Sequence, residues 1–94
     1  MADAKRVEGE QQGRVMLYTL STCGWCRKTK NLLSELGIGY DYIDMDALSS
    51  DEKLEVRQTV AKWNPACSFP TMVIDDKECI VGFQEEKIRN AVGK

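Results

Sequence analysis

The chain of 94 residues carries 13 Lys and Arg against 15 Asp and Glu, a net charge of -2, and contains no histidine. A chain of this length forms one domain that buries enough apolar surface to fold without disulfides. Its nearly balanced charge excludes a general attraction to nucleic acid or to an anionic membrane surface, and the absence of histidine removes the commonest zinc ligand and the commonest general base.

The cysteines and the N-terminal segment indicate a reducing compartment. Four cysteines are too few and too unevenly spaced for the disulfide framework of a small secreted protein. No run approaches the roughly 18 apolar residues of a membrane span, and residues 1–14 lack the apolar core of a signal peptide. Because residues 1–14 are polar and charged, we expect a flexible tail ahead of one domain over residues 15–94. We therefore expect a monomer in the cytoplasm.

Residues 15–37 predict a strand followed by a helix. The run VMLYTL, beginning at Val15, is short, apolar and rich in residues that favour strands. Ser21 and Thr22 offer side-chain caps for the helix, whose apolar positions recur at intervals of three and four residues. Gly37 provides a C-terminal stop.

The rest of the chain continues this alternation and then forms a hairpin. YDYID at 40–44 has the two-residue period of a strand, and a capping box of Ser49 and Glu52 begins a second helix. PTMVI and ECIV, separated by the polar turn DDK, predict a hairpin, and residues 85–92 predict a last amphipathic helix. The order βαβαββα predicts an α/β fold with a four-stranded mixed sheet flanked by helices.

Two cysteines lie at the first junction between strand and helix, with only Gly24 and Trp25 between them. Unsatisfied N–H groups and the positive end of the helix dipole favour a thiolate at Cys23, which is the nucleophilic form. Cys26, one turn later, can attack a mixed disulfide on Cys23, releasing the reduced substrate and leaving a Cys23–Cys26 disulfide. The pattern predicts a thiol-disulfide oxidoreductase with Cys23 and Cys26 as catalytic residues.

Other uses of the thiols have weaker support. A zinc site would need Cys67 and Cys79 as further ligands, at a spacing that matches no zinc motif, so we expect no metal. A static disulfide between residues three apart would close almost no loop and constrain the unfolded chain very little. We expect Cys79, in a predicted strand, to be a buried structural thiol, whereas Cys67 could be structural or a site of regulatory oxidation.

Two stretches resemble the glutaredoxin family. LYTLSTCGWCRKTKNLLSELGI resembles the family's first strand and Cys-x-x-Cys helix, and SFPTMVIDDKECIVGF resembles its proline loop, hairpin and glycine segment. The resemblance covers about residues 15–92. It implies a thioredoxin fold, a cis peptide bond at Phe69–Pro70, Cys23 as nucleophile and Cys26 as the resolving thiol.

Residues around these motifs are candidates for contacts with a disulfide substrate. Trp25 presents a large amphipathic ring beside the thiol, although covering the start of the helix is an alternative role. The proline loop and the glycine segment offer backbone that can pair with an extended polypeptide. The candidate substrate-binding residues are Trp25, Phe69, Pro70, Thr71, Gly82 and Phe83.

Departures from the family's pattern leave the electron donor open. Leu20 occupies the position where glutaredoxins commonly carry a lysine. The acidic residues that usually contact the γ-glutamyl amine of glutathione are represented here only by Gln84 and Glu85. The ending GFQEEKI is similar to that of redoxins that reduce ribonucleotide reductase and are recharged by a thioredoxin reductase. We therefore expect no tightly bound cofactor, protein disulfides and glutathione mixed disulfides as substrates, and either glutathione or thioredoxin reductase as the electron source.

An iron–sulfur cluster carrier is the alternative function. CGWC is similar to the CGFS pattern of monothiol glutaredoxins, in which the cysteine holds a cluster together with glutathione. In that case Cys23 and glutathione would be ligands. Cys26 argues against this alternative, because an internal disulfide would compete for the ligand sulfur.

Overall fold

The computed structural model describes residues 4–10 and 13–93. Its elements, in chain order, are β1 (Lys5–Val7), β2 (Val15–Thr19), α1 (Gly24–Glu35), β3 (Tyr40–Asp44), a short 3-10 helix (Met45–Ala47), α2 (Ser50–Trp63), β4 (Thr71–Ile74), β5 (Glu78–Val81) and α3 (Glu85–Ala91). From β2 onward this order is the predicted βαβαββα, and the predicted α/β thioredoxin fold is confirmed.

The strands form one mixed sheet in the order β1-β3-β2-β4-β5. β2 and β3 are parallel, and the other neighbouring strands are antiparallel. Parallel strands end at the same edge of a sheet, and here Thr19 at the end of β2 pairs with Asp44 at the end of β3. Because only a short turn separates Thr19 from the start of α1, Cys23 and Cys26 lie at this edge.

Helices cover both faces of the sheet, so β2 is buried on both sides. Val15 and Leu17 belong to a core that includes Leu33 of α1 and Ile88 of α3. Tyr18 belongs to a second core on the opposite face, against α2. A strand buried on both faces has an uninterrupted apolar sequence, which explains the run VMLYTL.

The prediction of four strands is wrong by one, because part of the segment predicted as a flexible tail forms β1. Lys5–Val7 pairs antiparallel with β3, and Arg6 forms an ion pair with Asp41 at 3.6 Å. Gly9 then passes so close to Gly39 that a Cβ on Gly9 would lie 2.5 Å from the Gly39 nitrogen. Backbone pairing orders this segment, and composition carries no signal for such pairing. Residues 1–3, 11 and 12 of the predicted tail, and Lys94, lie outside the described residues.

The C-terminal end of α1 and the N-terminal end of α2 follow the predicted signals. Gly37 has a φ of +72°, and the N–H of Ile38 donates to the carbonyl of Leu33 at 3.0 Å, as in a Schellman motif. Ser49 and Glu52 form the predicted capping box at the start of α2. No helix in the described part of the chain is long and apolar enough to span a membrane.

Candidate active site

Cys23 caps α1 with its own sulfur. Its backbone is extended, and its Sγ accepts a hydrogen bond of 3.2 Å from the N–H of Cys26. The caps predicted at Ser21 and Thr22 are therefore wrong, because the helix begins at Gly24 and the residue before it takes the capping position. The sulfur predicted to be the nucleophile thus lies at the N-terminal end of the helix, where the unpaired N–H groups point.

Asp46 holds the turn between β2 and α1, a role that sequence reasoning missed. Ser21 donates two hydrogen bonds to the Asp46 carboxylate, one from its N–H at 2.9 Å and one from its hydroxyl. The N–H of Cys23 closes the same turn on the carbonyl of Leu20 at 3.1 Å. The hydrogen bonds from Ser21 hold the pKa of Asp46 below its usual range. No local motif indicates Asp46, because it lies 25 residues from Ser21.

Cys26 lies beneath Cys23 and is only 1% exposed, whereas Cys23 is half-buried. Burial and the hydrogen bond with the Cys23 sulfur raise the pKa of Cys26 to about 12. Cys26 is therefore a protonated thiol at neutral pH. One accessible sulfur above one buried thiol is an arrangement suited to a nucleophile and a resolving group.

The loop before β4 lies against Cys23. Its Phe69–Pro70 peptide bond is cis, as the resemblance implies, and the carbonyl of Phe69 lies 4.0 Å from the Cys23 Sγ. Pro70 is buried, and its carbonyl accepts a hydrogen bond of 2.9 Å from the N–H of Gly82. Gly82 has a φ of +79°, a conformation that favours glycine. The fold thus places Phe69 beside the thiol and joins Pro70 to the glycine segment.

Trp25 forms an aromatic patch with Phe83. Trp25 is 58% exposed, and its ring stacks on that of Phe83 with centroids 6.0 Å apart and 27° between the ring planes. The Lys28 ammonium lies 4.6 Å from the Trp25 ring centroid. The exposure of Trp25 favours a contact role over the alternative of covering the start of the helix. We call Trp25 and Phe83 the aromatic patch.

Thr71 is placed differently from the other candidate contacts. Its side chain is fully buried, at 0% exposure. The hydroxyl donates to the carbonyl of Ser68 at 2.7 Å and accepts from the Asn64 amide at 3.1 Å. In this arrangement the Thr71 side chain stabilises the loop and lines no surface.

A cavity of about 290 Å³ adjoins Phe69. Two cations, Lys53 and Arg57, stand on its wall together with one carboxylate, and its remaining lining is largely apolar. A small ligand with a carboxylate group would find both a cation and an apolar surface there. The other lining residues are Leu20, Met45, Asp46, Ala66 and Cys67.

The remaining two thiols lie outside α1, Cys67 in the loop between α2 and β4 and Cys79 in β5. Cys67 has a left-handed φ of 51°, and its Sγ lies 4.0 Å from the carbonyl of Arg57. Cys79 is half-buried in β5, and burial raises its pKa. Over residues 4–10 and 13–93, no three Cys, Asp or Glu side chains are placed to hold a metal ion.

Comparisons with known proteins agree with this geometry. A family model described as glutaredoxin matches residues 15–80. The glutaredoxin structure from Methanosarcina mazei Go1 is 45% identical, with a TM-score of 0.90 over 97% of this chain and 88% of that one. Methanosarcina acetivorans methanoredoxin is 44% identical, with a TM-score of 0.88 over 92% and 90% of the two chains. Glutaredoxin-C6 of Oryza sativa subsp. japonica is 30% identical over 94 residues, all of this chain and 81% of that protein.

Proposed function

The chain belongs to the glutaredoxin family, and from that premise we propose that it reduces protein disulfides and glutathione mixed disulfides through both cysteines. As a glutaredoxin it is a thiol-disulfide oxidoreductase with a CxxC active site. The observation that carries the two-cysteine proposal is the position of a buried thiol, Cys26, directly beside the half-buried Cys23 sulfur.

The reaction takes place in two exchange steps. First, the Cys23 sulfur attacks a substrate disulfide, so that one substrate sulfur leaves as a thiolate and the other is bonded to Cys23. Then Cys26 loses its proton and attacks the Cys23 sulfur, which releases the second substrate thiolate and leaves the Cys23–Cys26 disulfide. Two electrons have passed from the cysteine pair to the substrate, and an external reductant must return them.

The aromatic patch is the proposed docking surface for a polypeptide substrate. An exposed tryptophan next to a reactive sulfur provides apolar contact area with few rotatable bonds. The Phe69 carbonyl, 4.0 Å from the Cys23 Sγ, offers a backbone acceptor with which a substrate strand can pair. Because the resemblance at the C-terminal end implies it, ribonucleotide reductase is the first protein disulfide to test.

We infer that glutathione regenerates the dithiol, since it is the typical co-substrate of the family. Support comes from the cavity next to Phe69, where Arg57 and Lys53 could replace the cation missing at Leu20. Arg57→Met should therefore raise the KM for glutathione about five- to tenfold, the effect of losing one charged hydrogen bond. Lys87→Met, on the exposed surface of α3, is the matched control.

The test is a reduction assay with separate recycling systems. Insulin, oxidised ribonucleotide reductase and a glutathionylated peptide serve as substrates, with NADPH consumption followed in the presence of glutathione and glutathione reductase or, separately, thioredoxin reductase. We expect turnover with glutathione. Turnover with thioredoxin reductase alone would overturn the assigned reductant, and no turnover in either system would overturn the function. Visible iron–sulfur absorption after anaerobic reconstitution would favour the cluster carrier instead.

A further inference from the structure

Lys30, one helical turn after Cys26, is held in a partly buried polar cluster. Its Nζ lies 3.2 Å from the Asp44 carboxylate and 4.0 Å from the centroid of the Tyr42 ring. The side chains of Lys30 and Asp44 are only 23% and 15% exposed. The Thr19 hydroxyl donates a second hydrogen bond to Asp44. The ammonium group is therefore fixed in place, unlike that of an ordinary surface lysine.

This cluster lies where β2 and β3 end, under the helix that carries the active-site thiols. Residues four apart on a helix share a face, so Lys30 and Cys26 point to the same side. The titratable groups that act on the Cys26 thiol are Cys23 and Lys30, while Asp44 and Tyr42 of β3 contact Lys30. Burial raises the pKa of Cys26, and the Lys30 ammonium acts in the opposite direction.

We propose that Lys30, held by Asp44, is a positioning residue for the second step: its charge stabilises the Cys26 sulfur as that sulfur attacks the mixed disulfide. The inference rests on the proposed two-cysteine reaction. In this step the Cys26 proton passes to solvent, the Cys23–Cys26 bond forms, and the bond between Cys23 and the substrate sulfur breaks. The substrate sulfur leaves with the electron pair as a thiolate. The first step uses the Cys23 sulfur, which is one turn further from Lys30 along the helix, so we expect it to depend less on this charge.

Replacing Lys30 by methionine removes the positive charge and leaves the Asp44 carboxylate without its ion-pair partner. Both changes disfavour a thiolate at Cys26. A rise of one unit in the pKa of Cys26 lowers the fraction of its thiolate form about tenfold. A more basic thiolate is also a better nucleophile, so the rate of attack falls by less than about tenfold. The second step should then slow roughly three- to fourfold for each unit by which the pKa of Cys26 rises.

The two steps can be separated with one equivalent of the aromatic disulfide dithiobis-nitrobenzoate. Attack by Cys23 releases one coloured thiolate, and attack by Cys26 on the resulting mixed disulfide releases the other. Every protein in the series carries Cys67→Ser and Cys79→Ser, so that only the active-site pair reacts. Stopped-flow absorbance then shows two phases, and adding Cys26→Ser leaves only the first.

We expect Lys30→Met and Lys30→Gln to slow the second phase about threefold or more near neutral pH and to displace its pH profile toward higher pH. The first phase should change much less than the second. Lys30→Gln can still donate a hydrogen bond to Asp44, so it separates the loss of charge from the loss of packing. Lys30→Arg should restore the native rate, and Lys87→Met should alter neither phase.

A second phase with the native pH profile in Lys30→Met and Lys30→Gln overturns the inference. Equal slowing of both phases also overturns it, because that result indicates a structural role for Lys30. Absence of the first phase in the protein with native Lys30 would overturn the proposed function instead, so the two failures are distinguishable.

Discussion

The N–H of Cys26 donates a hydrogen bond of 3.2 Å to the Sγ of Cys23, so one active-site thiol caps the helix that carries the other. The same contact that begins α1 also holds the Cys23 sulfur against the first turn of the helix, where it forms a hydrogen bond with the Cys26 thiol. Local helix formation and the geometry for disulfide exchange therefore depend on one interaction. Substitutions at the two positions should have unequal effects, because only Cys23 combines the capping position with access to solvent.

Cys23→Ser should reduce turnover by about two orders of magnitude or more in every assay, because it removes the nucleophile. Serine is a good helix cap, so the fold should survive. Cys26→Ser should still react once and then accumulate as a mixed disulfide, detectable by intact mass. Cys79→Ser, in β5 and outside the Cys23–Cys26 helix, should retain full activity. Substantial turnover by Cys23→Ser would contradict the assignment of the nucleophile.

The reduced protein should lose stability as the pH rises above about 9, the ordinary pKa of a thiol, because the pKa of Cys26 is raised to about 12 in the folded state. Between these pH values the folded chain holds a proton on Cys26 that the unfolded chain has released. The contribution of this proton to the free energy of unfolding is therefore complete below pH 9 and is lost toward pH 12. The expected slope is about 1.4 kcal/mol per pH unit.

Denaturant unfolding under reducing conditions, compared between the native protein and Cys26→Ala, measures this slope. Burial also raises the pKa values of Tyr18 and Tyr40. Their effect on the free energy of unfolding is the same in both proteins, so it cancels when one pH dependence is subtracted from the other. Parallel pH dependences for the two proteins would show that Cys26 titrates as an ordinary thiol.

Trp25→Ala should raise the KM for a polypeptide disulfide about five- to tenfold and should change the turnover of a small aromatic disulfide much less. The reason is that the exposed ring provides docking area for a chain and takes no part in the exchange itself. Leu54→Ala is the control, since Leu54 is also a large apolar residue, 61% exposed, but on α2. An equal loss of activity with the polypeptide and the small disulfide would show that Trp25 acts in the exchange reaction or in folding and not in docking.

Gly9→Ala should loosen β1 from the sheet, because the added Cβ would lie 2.5 Å from the backbone nitrogen of Gly39. We expect faster amide hydrogen exchange over Lys5–Val7 and a loss of about 1 to 3 kcal/mol of unfolding free energy. Gly24→Ala, where a Cβ meets no atom within 4 Å, should cost no stability. Unchanged exchange in β1 would show that the close approach is not required.

The helices, the strands from β2 onward and the cysteine pair could be predicted because their signals in the sequence are local. The apolar runs, the glycine at Gly37 and the capping box of Ser49 with Glu52 each act within a few residues, so they determined every element from β2 onward apart from the short 3-10 helix. The chemistry of the Cys23–Cys26 pair was equally local, because a strand, a helix start and two thiols are adjacent in the chain.

Only the tertiary structure decided which polar partners meet. Asp46 accepts hydrogen bonds from Ser21, and Asp44 forms an ion pair with Lys30, because the parallel strands β2 and β3 end at one edge of the sheet. The residues next to these two aspartates in the sequence do not indicate either contact. β1 is ordered by hydrogen bonds to β3, for which its own composition carries no signal. Such interactions join residues distant in sequence, and their geometry exists only once the sheet has formed.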